Sequence, residues 1–103
     1  MGNTRHPKVS NLLEQARSCI DSGRYLDTAH SSERGGQRFI SRPEILYVLR
    51  HGYHEKRKDQ YNTHYCTWDY AIRGRTVDGR ELHVVVAFDD NGMLIITAID
   101  LEA

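Results

Sequence analysis

The feature that most limits how this chain can fold is a set of three β-patterned runs at its C-terminal end. Residues 64–76, 81–88 and 93–100 are rich in β-branched and aromatic side chains. Val77-Asp78-Gly79 and Asp89-Asp90-Asn91-Gly92 separate them, and both carry turn chemistry. Strands joined by such short turns pair antiparallel, and one apolar face of the resulting sheet then needs a cover. Two helical patterns upstream can supply it. Val9, Leu12, Leu13, Ala16 and Ile20 form one apolar stripe, predicting a helix over 8–22 with Pro7 in its first turn and Gly23 as its stop. Ser41-Arg42-Pro43-Glu44 is a capping box that opens a second helix over 42–51, terminated by Gly52. The expectation is one α+β domain over residues 1–103, with two N-terminal helices on a twisted, three- to four-stranded antiparallel sheet. Residues 24–28 alternate weakly and offer the extra strand. Residues 29–37 and 55–62 have no usable period and read as loops, the second of them mobile.

The register of the first hairpin decides which polar groups meet. A two-residue Asp78-Gly79 turn would pair Arg73 with Val84 and Arg75 with Leu82, putting both arginines on the apolar face. A three-residue loop with Gly79 as a left-handed bulge shifts the pairing by one. Arg73 then faces His83, Arg75 faces Glu81, and Trp68, Tyr70 and Ile72 join Leu82, Val84, Val86 and Phe88. This register separates polar from apolar and is the one predicted.

It gathers Arg73, Arg75, Glu81 and His83 on one face, where His30, Arg34 and Arg38 from the preceding loop could extend the patch. Metal-free cleavage of a phosphodiester needs a base for the ribose hydroxyl, an acid for the leaving oxygen and a fixed cation for the phosphate. His83 and His30 suit proton transfer, because an imidazole titrates near neutrality. Arg73, Arg75 and Arg34 suit the phosphate. The plain alternative is a cross-strand Arg75–Glu81 pair beside a solvent-facing His83. Lys56 and its basic neighbours Arg57 and Lys58, flanked by Tyr53 and Tyr61, could grip phosphate and stack a base, or be a solvated loop.

Other chemistry is less well supplied. His51, His54, His64 and Cys66 are zinc-type ligands, but their spacing fits no standard site, so no metal or other cofactor is expected. Cys66 alternates with Trp68 and Tyr70 and reads as a buried thiol; Cys19 sits beside the apolar stripe of the first helix, and both read as structural. The net charge is zero, with 14 basic and 14 acidic residues, which weighs against indiscriminate nucleic-acid binding. The charge is unevenly spread: residues 30–65 hold seven Arg or Lys against four acids, and residues 80–103 hold one against five. No apolar run approaches the ~20 residues of a membrane span. The start of the chain lacks the apolar stretch of a secretory signal, so a cytoplasmic location without membrane contact is expected.

Several of these stretches carry a resemblance. Ala29-His30 with Arg34, Arg38-Phe39-Ile40-Ser41, Gly52, Gly74-Arg75, the run from Asp78 to Val86, and Leu94-Ile95-Ile96-Thr97 resemble a bacterial family of small uncharacterised proteins often encoded beside a zinc-finger antitoxin. With the first helix included, the layout is similar to MqsR-like members of the RelE/ParE-type toxins. The resemblance implies a RelE/ParE-like fold and a metal-independent endoribonuclease acting on mRNA, free or on the ribosome, with an antitoxin protein as partner. It carries His30, Arg34, Arg73, Arg75 and His83 over as site residues. The chain departs from the pattern in being neutral where such toxins are basic, and in Gly35-Gly36, where related sequences look more helical. A non-catalytic module of the same fold, binding a partner through a sheet edge or the first helix, is the rival expectation.

Overall fold

The computed structural model describes residues 7–28 and 40–102. Among these, the elements in chain order are α1 (Leu12–Asp21), β1 (Tyr25–Asp27), α2 (Arg42–His51), β2 (Tyr53–His54), a 3-10 turn (Lys56–Lys58), β3 (Gln60–Asn62), β4 (Thr67–Arg75), β5 (Glu81–Asp89) and β6 (Gly92–Asp100). The architecture is α+β, as expected, but the sheet is larger and mixed. Its order is β1-β6-β5-β4-β2, and β3 also pairs with β4. Three long antiparallel strands form the predicted meander. β1 runs parallel to β6, matching Tyr25 with Met93 and Asp27 with Ile95, so the sheet is not purely antiparallel.

The register of the β4–β5 hairpin follows the argument from polarity. Arg73 pairs with His83, Arg75 with Glu81, Tyr70 with Val86 and Ile72 with Val84. Thr76 and Arg80 close a loop over Val77, Asp78 and Gly79, with the Thr76 amide donating to the Arg80 carbonyl at 2.9 Å. Gly79 takes a φ of 88°, which a side chain disfavours. One face of the sheet thus carries Tyr70, Ile72, Leu82, Val84 and Val86, all buried against Leu12, Ala16 and Cys19 of α1 and Ile45, Val48 and Leu49 of α2. α2 comes so close to β4 that a Cβ on Gly74 would lie 2.9 Å from the Gly52 Cα. That approach explains two glycines through contact between backbones.

Four expectations need correction. α1 begins at Leu12 and not at residue 8, because upstream groups find tertiary partners. The Val9 amide donates to the Tyr70 hydroxyl at 2.9 Å, and Lys8 reaches Asp59 at 3.1 Å. The strand predicted over 64–76 spans only 67–75, because the Asn62 side chain accepts from the amides of His64 and Tyr65 and folds residues 63–66 into a turn. Cys66 stands in that turn with a φ of 54°, exposed rather than buried, while Cys19 is buried. The stretch read as a mobile loop over 55–62 is ordered structure. Asp59, its side chain fully buried, accepts from the Ala71 amide at 2.9 Å and pairs with His54 Nε2 at 2.8 Å, which fastens the 3-10 turn to β4.

A buried ionic knot joins the helical layer to the hairpin. Arg80 contacts Glu44 at 2.9 Å through Nη1 and Asp100 at 3.0 Å through Nε. Glu44 also completes the capping box of α2, since the Ser41 amide donates to it at 2.9 Å. Burial works to raise the Glu44 carboxyl, but the Ser41 and Arg80 bonds outweigh it and hold it below the usual range. Truncating Arg80 strands two carboxylates, one of them buried on Asp100. Arg80→Ala is expected to lower the unfolding free energy by about 3–5 kcal/mol, against about 1 kcal/mol for Ser41→Ala, both read from urea denaturation midpoints.

Candidate active site on the open sheet face

The second face of the sheet is covered by neither helix. Alternation along β4 and β5 sends Arg73, Arg75, Glu81 and His83 to it, opposite the buried Ile72, Leu82 and Val84. The 3-10 turn and the residues after it form one wall. Between wall and sheet lies a groove of about 600 Å³ lined by Arg57, Lys58, Asp59, Gln60, Asp69 and His83, with Val85, Ile99 and Leu101 as its apolar floor.

His83 pairs across the sheet with Arg73 on one side and Ile99 on the other. Burial holds its imidazole below the ordinary value of 6.5, Lys58 and Arg73 act in the same sense, and Glu55 opposes them. The ring is therefore neutral near pH 7 and able to accept a proton. Glu55 Oε1 lies 3.8 Å from His83 Nδ1, too far for a hydrogen bond. The other Glu55 oxygen faces Arg73 Nη1 at 3.7 Å. Asp69, also in the groove, has its carboxyl raised by burial, with a bond from Asn62 opposing; one of its oxygens is buried without a hydrogen-bond partner.

The two arginines are engaged. Glu81 bridges them, taking Arg73 Nε at 2.7 Å and Arg75 Nε at 3.1 Å. The Arg75–Glu81 pair offered as the plain alternative is thus present, together with the groove around His83. An incoming phosphate would have to share the guanidinium groups with Glu81 or displace it. Lys56 is on the 3-10 turn but outside the groove lining, where Arg57 and Lys58 stand instead. His30 and Arg34, with Arg38, lie outside the described residues.

The sequence reading missed Glu55, Asp59 and Asp69. All three are ordinary acids in sequence, and only burial by the folded 3-10 turn and β3 distinguishes them. The zinc-type residues are dispersed. His51 packs on Tyr47, His54 bonds Asp59, and His64 packs on Tyr65. Among the described residues no group of three or more His, Cys, Asp or Glu side chains could hold a metal ion. No helix among them is long and apolar enough to cross a membrane.

A family model described as a domain of unknown function (DUF4258) matches residues 28–100, more than half of the chain. The chain belongs to the DUF4258 family. No curated protein and no solved structure matches it. The matched span of the DUF4258 domain includes α2, strands β2 to β6 and every described residue of the groove except Leu101.

A depressed His83 value has a thermodynamic consequence. The folded state resists protonating this ring, so its contribution to stability is fully present above the unfolded value of 6.5 and is lost as pH falls through the lower folded value. His83→Gln is expected to show a smaller loss of stability than wild type between roughly pH 7.5 and roughly pH 5, measured by chemical denaturation at each pH. Equal losses in the two proteins would contradict the assignment.

Proposed function

We propose that this DUF4258 protein is a toxin-type, metal-independent endoribonuclease with a RelE/ParE-like arrangement of helices and sheet, paired with an antitoxin protein. The observation that carries the reading is the place of His83, on an open groove that Lys58 also lines and paired across the strands with Arg73, where burial holds its imidazole below the ordinary value. In that role His83 takes the proton of a ribose 2′-hydroxyl, the oxygen attacks the adjacent phosphorus, and the bond to the 5′-oxygen breaks. Lys58, Arg57 and Arg73 neutralise the charge that builds on the phosphate, with Arg75 behind them. Of the residues named from sequence, His30 and Arg34 keep their proposed parts as acid and phosphate ligand on the resemblance alone. RNA or the ribosome is the target this chemistry requires.

A second reading has its own support. Glu81 already compensates Arg73 and Arg75, and Ile96, Ile99 and Leu101 are exposed. Those features suit a non-catalytic module that binds a partner protein on the open face. The two readings differ in one experiment, induced expression of wild type, His83→Ala and Arg73→Ala with growth and total RNA followed together. The nuclease reading expects arrest and RNA cleavage by wild type, with cleavage lowered about 100-fold or more in His83→Ala. Intact RNA at confirmed folded expression of wild type would sink it and leave the binding module.

A further inference from the structure

We infer that Glu55 is a positioning residue for His83, a buried carboxylate that holds the imidazole with Nδ1–H turned inward and Nε2 presented to the groove as a proton acceptor. Three observations combine. The backbone of Glu55 is held at both ends, because its amide donates to the Ala71 carbonyl at 2.9 Å and its carbonyl accepts from the Lys58 amide at 2.9 Å. Its side chain is only 9% exposed, a position a carboxylate rarely takes without a partner. Its Oε1 is fully buried, has no hydrogen-bond partner and faces His83 Nδ1 across 3.8 Å.

An inaccessible carboxylate oxygen without a donor calls for one, and the facing ring nitrogen is the donor available. The gap exceeds a hydrogen bond, and such contacts at reacting groups are commonly long before a ligand fills the site and shorten when it does. The two nitrogens of an imidazole point in different directions, so whichever group engages Nδ1 decides the state of Nε2. A carboxylate acting on Nδ1–H leaves the Nε2 lone pair free and stabilises the imidazolium that forms when it takes a proton. The remaining charged groups around the ring do not substitute for Glu55. Lys58 from the 3-10 turn and Arg73 from β4 are cations, which disfavour the imidazolium. Glu81, two residues along β5, is taken up by the arginines, and Asp59 by Ala71 and His54. Asp69 lines the groove farther along β4, and β6 offers the apolar Ile99.

The inference rests on the nuclease reading only for the use to which the pair is put, so its test reads the pair directly. Nitrogen-15 spectra of the full chain report the tautomer and titration of His83 in wild type and in the isosteric Glu55→Gln. The expected results are an Nδ1–H tautomer in wild type and a His83 titration lowered by roughly one pH unit in Glu55→Gln, because removing an opposite charge at this range favours the neutral ring. An Nε2–H tautomer in wild type, or a titration that stays or rises in a folded Glu55→Gln, overturns it. If the variant does not fold, the wild-type tautomer alone decides. RNA cleavage assayed on the same proteins separates the two claims. A lowered titration with no cleavage by wild type leaves the pair and removes the nuclease. Cleavage at the wild-type rate in Glu55→Gln, with its pH profile unmoved, removes the pair and leaves the nuclease.

Discussion

The register of the β4–β5 hairpin is the constraint on which the rest of this structure depends. Because side chains alternate with a period of two, a shift of one residue would exchange the faces of every residue in one strand relative to the other. Gly79 in the left-handed region permits the three-residue loop, and that loop sets Arg73 against His83. Tyr70, Ile72, Leu82, Val84 and Val86 then fall on the side where the helices pack, and Arg73, Arg75, Glu81 and His83 fall on the open side. Arg80, next to the loop, ties the same hairpin to the start of α2 and the end of β6. The turn that sorts the faces is therefore also the point where the layers are fastened.

Charge on the open face is balanced locally and not left as a free cationic patch. Glu81 and Glu55 offset Arg73 and Arg75, which agrees with a chain whose net charge is zero. Ion pairs this close to solvent stabilise the fold little, but they orient the guanidinium groups and set the field felt by His83. Burial and the cations push the ring toward neutrality, and Glu55 resists. A base that is neutral at rest yet stabilised once protonated needs both influences together. The fold supplies them from separate parts of the chain, with Arg73 and His83 on the meander and Glu55 and Lys58 on the segment that crosses its edge.

That segment is where sequence pattern and structure part. The meander, both helices and the capping box at Ser41 were legible because each rests on a local signal: periodicity, turn chemistry, or a side chain three residues from its partner. β1 was only weakly legible, since three residues cannot show a period, and its parallel pairing to β6 depends on where α1 lets the chain return. β2 and β3 were invisible for the same reason. Their two or three pairings would not hold alone, and the pin that keeps them on β4 is Asp59, which looks like any polar residue until the Ala71 amide and His54 surround it. Cys66 misled because it continues the alternation of Trp68 and Tyr70, while the Asn62 side chain had already captured the backbone into a turn.

By itself the sequence determined the fold class, the faces of the main strands and the meeting of Arg73, Arg75, Glu81 and His83, because those follow from the period of the strands and the chemistry of one turn. Tertiary structure alone decided that a groove exists beside His83, that Lys58 and not Lys56 lines it, and that Glu55 faces His83. The reason is one of range. Alternation and capping act over a few residues, whereas the burial that sets Glu55 against His83 arises only when segments distant in sequence exclude water together.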